Sequence, residues 1–98
     1  MNGYEFKTTF WEDFTIADHF GLLAIEDTFN RAFDEWKSNY IFLTELVLVL
    51  NWKIWQHWEM DNSSQAAKLY DKLWRVAQSY AYETLEGDEL SYFYSTID

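Results

Sequence analysis

Residues 46–58, LVLVLNWKIWQHW, decide how the chain folds, because two readings compete for them. The run Leu46 to Leu50 has the length and composition of a buried β-strand, and short apolar runs do not reveal their period. Length separates the two readings. The apolar pattern continues through Ile54 and Trp58 with no turn signal, giving a unit of about 20 residues, too long for a typical strand. Taken as a helix at about 100° per residue, Leu43, Leu46, Val47, Leu50, Ile54 and Trp58 form one arc. Leu48, Trp52 and Trp55 widen it, leaving Glu45, Lys53 and Gln56 on a narrower polar side, with Val49 unexplained among them. A helix apolar over most of its circumference is surrounded by other elements, so this one belongs in the middle of the fold.

The flanking segments have the same period. Leu22, Ile25, Phe29, Ala32 and Trp36, with Phe33 beside them, make one stripe, and Ala66, Tyr70, Leu73, Ala77, Tyr80 and Leu85 make another. There is no proline, and the three glycines stand at 3, 21 and 87, where the last two are suited to ending helices. Ser38-Asn39 and Asp61-Asn62-Ser63-Ser64 supply the turns between. Thr8 or Thr9 is a plausible N-cap, Thr9 with Glu12 forming a capping box. A short amphipathic helix carrying Phe10, Trp11, Phe14 and Ala17 then runs to Gly21. After Gly87 the chain has room for one helical turn before a loose terminus. The expectation is all-α: three long helices, at about 22–37, 40–60 and 64–86, plus a short N-terminal helix at about 9–20. Leu46, Leu50, Ile54, Leu73 and Ala77 are expected in the core.

Composition bounds the function. At 98 residues, 49% hydrophobic and 21% aromatic, the chain fits one domain with one modest core. Without cysteine it has neither disulfides nor thiolate metal ligands. The opening MNGYEFKTTF has no signal-peptide pattern and no apolar run reaches the ~20 residues of a membrane span, so a cytoplasmic protein is expected. Seventeen acids against seven bases give a net charge of −10. Such a surface repels nucleic acid and anionic membranes, which bind through Lys/Arg clusters. A basic protein partner is what the charge favours.

Candidates for chemistry are sparse. Asn51 and His57 lie six residues apart, about 120° around a helix, so one substrate could not easily touch both. His57 and His19 each fall near a helix C-terminus, where an imidazolium meets the dipole favourably. His57 and Glu59 diverge on the helix and make no metal pair. Asn51 interrupts the apolar arc as a register-setting amide would in a helical core; a ligand contact is the other reading. No nucleophile elbow, phosphate loop or Glu-x-x-His pair is present, so no catalytic residue, cofactor or metal is assigned. Six Trp, seven Tyr and eight Phe exceed what one small core hides. Trp11, Tyr92 and Tyr94 are candidates for an aromatic interface, including a homodimer. The acids group as well: Glu26, Asp27, Asp34 and Glu35 in one segment, Glu83, Glu86, Asp88 and Glu89 in another. Asp27 and Asp34 share a helix face about 10 Å apart, and acids splayed from several helices could approximate a row of phosphates.

Thr9-Phe10-Trp11, Asp13-Phe14, Ile16-Ala17-Asp18 and Phe20-Gly21 resemble the opening of a group of small acidic proteins. So do Asp27-Thr28-Phe29, Arg31-Ala32-Phe33, Glu35-Trp36-Lys37 and Leu43-Thr44-Glu45-Leu46-Val47. That group is carried by conjugative transposons and related mobile elements of Gram-positive gut bacteria, and brings no known activity or binding residue with it. The resemblance implies a setting in which small acidic inhibitors of restriction and CRISPR nucleases travel. A DNA-mimic inhibitor of a host-defence nuclease is the function it suggests; an accessory protein acting through an aromatic interface is the alternative.

Overall fold

In a computed structural model, which describes residues 3–61 and 63–97, the chain forms five helices and, among the described residues, no strand. They are α1 (Gly3–Phe20), α2 (Leu22–Trp36), α3 (Tyr40–Met60), α4 (Gln65–Thr84) and α5 (Asp88–Ile97). The three long helices coincide with the expected segments to within two residues at each end. α3 packs against all four of the others, and so stands in the middle as its apolar circumference requires. The expected core residues Leu46, Leu50, Ile54, Leu73 and Ala77 are all buried, with Phe14, Ile25, Phe29 and Tyr70 around them.

Each boundary has a local cause. Asn39 caps α3, its Oδ1 accepting from the backbone N–H of Ile41 at 3.1 Å and Phe42 at 3.2 Å. Ser64 caps α4 by accepting from Ala67 N at 3.1 Å. In the same loop Asp61 Oδ1 accepts from the N–H and hydroxyl of Ser63, and these bonds hold its carboxyl below the usual range. Gly21 alone separates α1 from α2, at φ 108° and ψ −173°, a conformation essentially reserved for glycine. Open space surrounds the position of its absent Cβ, so Gly21→Ala should cost backbone strain only, about 1–3 kcal/mol. Urea unfolding would measure it; a change within about 0.5 kcal/mol, the usual surface range, would refute the strain.

Three expectations need correction. The N-terminal helix is not short: it starts at Gly3 and carries Thr8 and Thr9 in its interior, so neither threonine is an N-cap. A Thr-x-x-Glu spacing marks a helix start only where the preceding residues leave the helix, and here no breaker lies between Gly3 and Gly21. The C-terminal segment is more than one turn. Gly87, at φ 60°, redirects the chain, Asp88 and Glu89 favour a helix start electrostatically, and Phe93 is fully buried with Leu90 and Ile97 packed beside it.

The third correction concerns the sides of α3. Glu45 and Lys53, placed on a polar face, are buried, as is Val49 between them, whereas Trp52 and Trp55 are 42% and 62% exposed. α1 and α5 cover the side that carries the charges. A helix with neighbours on most sides has little net amphipathicity, so its pattern cannot say which polar residues face inward.

Candidate functional site

The buried charge on α3 is held by a network spanning three helices. Lys53 is wholly inaccessible, yet its ammonium donates to Asp18 Oδ2 and Thr15 Oγ1 on α1, both at 2.9 Å, and to Gln56 Oε1 at 3.0 Å. An ammonium has three hydrogens to give, and each has an acceptor. The indole of Trp11 adds a cation–π contact, its ring centroid 4.2 Å from Nζ. Asp18 turns its other oxygen to α4, accepting from the Tyr70 hydroxyl at 2.6 Å. Burial first, then this bond and the Asp18 charge, push the Tyr70 phenol far above its ordinary value of 10.0, so it remains a donor across the ordinary pH range.

His57 closes the cluster. Its ring stacks on Tyr70 with centroids 5.3 Å apart, and Nε2 lies 3.2 Å from Asp18 Oδ1. That approach is off the line of a hydrogen bond, so the contact is electrostatic and becomes an ion pair when the imidazole is protonated. Asn51 has no part here. It is half-buried and lines a small groove of about 280 Å³ with Trp74, Gln78 and Tyr82, at the edge of the core and not within it. His19 is exposed in the last turn of α1. Within the network all three ammonium hydrogens of Lys53 and both oxygens of Asp18 have partners, while His57 Nε2 is buried without a hydrogen bond. Among the described residues no group of His, Asp or Glu is arranged to hold a metal ion, and no helix is long and apolar enough to cross a membrane.

The surface carries the opposite character. Apart from Asp18, Glu45 and Asp71, every described carboxylate side chain is exposed. Phe33 packs edge-on against Tyr80, centroids 5.2 Å apart, which sets the last turn of α2 beside the last turn of α4. Asp34 and Glu35 therefore share one end of the bundle with Glu83, Glu86, Asp88 and Glu89, which follow the chain around Gly87. Glu26 and Asp27 lie nearer the other end of α2. The cations do little to offset them. Lys53 is buried, Arg75 pairs with Asp71 at 3.0 Å, and Lys37 lies 3.7 Å from Asp34.

The aromatic candidates divide. Tyr94 is 46% exposed beside Tyr82. Tyr92 is half-buried edge-on to Tyr40, its phenol raised by burial and by the nearby Glu45 carboxylate. Trp11 is half-buried against the core beneath Lys53. Among the described residues the most exposed aromatics are ones that periodicity assigned to the interior or left unassigned: Phe20 at 78% and Trp55 at 62%. No family model, no curated protein and no solved structure matches the chain.

Proposed function

We propose that this protein is a non-enzymatic, acidic interaction protein that occupies the basic nucleic-acid groove of another protein, in the manner of a DNA-mimic inhibitor of a host-defence nuclease. The observation that carries the reading is the sorting of charge: the carboxylates of α2 and of the α4–α5 turn are exposed, while Lys53 is withdrawn into the core against Asp18. Most of the net charge of −10 thus rests on exposed carboxylates, where it steers association with a basic surface. The resemblance to small acidic proteins of mobile elements supplies the biological setting.

The test is capture of a partner from bacterial lysate on immobilised protein, eluted with a salt gradient and challenged with duplex DNA. Binding should fall steeply with salt, since contacts between exposed charges are screened over about 10 Å at about 0.1 M, and DNA should compete. Reversing Asp27 and Asp34 to Lys should slow association and leave the fold intact, because exposed charges govern encounter more than stability. Reversing Lys68 and Lys72 to Glu should not weaken it. A partner indifferent to salt and DNA, and lost on trimming Tyr94, would favour the second reading. In that reading an aromatic protein interface, a homodimer included, does the binding and acidity serves solubility; the exposure of Tyr94 and Tyr82 supports it.

A further inference from the structure

A groove of about 700 Å³ runs between α1 and α2 on the face turned away from the core network. Both helices line it in the same rhythm. Asp13, Ile16, Ala17 and Phe20 follow one another on α1 at steps of three, one and three residues; Ala24, Asp27, Thr28, Arg31 and Glu35 continue the same stripe on α2. Two stripes of this period, on helices folded back at Gly21, present the surface against which a further helix packs. From Ala24 to Glu35 the groove is about 16 Å long, some three turns of an α-helix. Its floor is small, with Ala17, Ala24 and Ala32, which lets a second backbone approach closely. At the hairpin end Ile16 and Phe20 are 57% and 78% exposed, large apolar side chains with no core role.

The rim is acidic. Asp27 and Glu35 stand on one wall and Asp13 on the other, with Arg31 the only base among them. Burial in this cleft raises the Asp13 carboxyl above its ordinary range, against the lowering pull of Arg31 and with a smaller push from Glu12.

We propose that the α1–α2 groove is a docking site for a basic amphipathic α-helix of a protein partner. The helix lays an apolar stripe on Ile16, Phe20 and the alanine floor, and sets Lys or Arg side chains against Asp13, Asp27 and Glu35. Helix-in-groove recognition reads apolar anchors at steps of three and four, and the acidic rim selects the charge of the flanks. The inference rests on the reading of the protein as a binder of basic proteins and names the element of the partner it takes.

The experiment uses a labelled synthetic peptide of about four helical turns, with leucines at helical spacing and lysines flanking them, followed by fluorescence anisotropy. A scrambled peptide of the same composition and a version with Glu for Lys serve as comparisons. The helical basic peptide should bind, and the other two should bind at least about tenfold more weakly, a difference of about 1.4 kcal/mol. Phe20→Ala and Asp27→Lys, both surface changes, should each weaken it about tenfold, and Glu89→Lys, on α5 and outside the groove's lining, should not. Amide shifts on titration should map to α1 and α2. Absence of binding, equal binding of the scrambled peptide, or indifference to Phe20→Ala overturns the groove. So does a native dimer that Phe20→Ala dissociates with no peptide response, since the occupant is then a second copy. Phe20 has no place in the charge argument above, so its variant fails or succeeds independently of competition by DNA.

Discussion

Replacing Asp18 by alanine should destabilise the fold by about 3–5 kcal/mol, the cost of removing one partner of a buried ion pair. The size of the effect comes from what is left behind. Lys53 has no exposed surface, and its ammonium would retain only the neutral acceptors of Thr15 and Gln56 and the Trp11 ring. The Tyr70 hydroxyl would lose its 2.6 Å acceptor in the same step. Against a total stability of about 5–15 kcal/mol, that is enough to leave a large fraction of the protein unfolded in mild denaturant. The double change Asp18→Asn with Lys53→Met should cost less than Asp18→Ala, because apolar replacement of a buried pair is often close to neutral. Urea unfolding of the three proteins decides it. A loss below about 1 kcal/mol for Asp18→Ala, no more than one ordinary hydrogen bond, would mean that water reaches Lys53.

Leu50→Ala is the second large effect, expected at about 2–5 kcal/mol. Leu50 is fully buried on the helix that touches every other one, so the space left by its side chain opens where neighbours converge and collapse is hardest. Leu23→Ala is the matched comparison. Leu23 is 81% exposed, and its truncation should fall within about 0.5 kcal/mol. If the two leucines cost the same, α3 is not central.

How much of this was legible in the sequence follows from the range of the interactions. Helices announce themselves through neighbours three and four residues away, so the bodies of α2, α3 and α4 were readable, as were the turns at Asn39 and Ser64, whose side chains bond within three residues. Asp18 and Lys53 are 35 positions apart, and nothing local marks an aspartate that will neutralise a lysine on another helix. Glu45 and Lys53 looked like a solvated side for that reason. Leu22, placed in the apolar stripe of α2, is 45% exposed because it sits at the hairpin corner beyond the reach of the other helices. The end of the chain was misjudged because α5 is short, and a ten-residue helix owes its existence to docking Phe93 more than to its own propensity. The acidic groups on α2 and after Arg75 were legible as composition. That α2's last turn meets α4's was not, since it depends on Phe33 finding Tyr80.

The separation between Asp18 and its partners also orders events in time. The carboxylate is made before its partners, its lysine following 35 residues later and its tyrosine 52 residues later. At the usual pace of about 5–20 residues per second, Asp18 waits about 3–10 s before Tyr70 has been synthesised. Until then α1 has no α4 to cover Phe14, and before residue 53 no lysine to meet the aspartate. α1 is therefore made before the groups that lock it, and a stall between residues 20 and 70 would hold the nascent chain with its inner face of α1 open to chaperones and proteases.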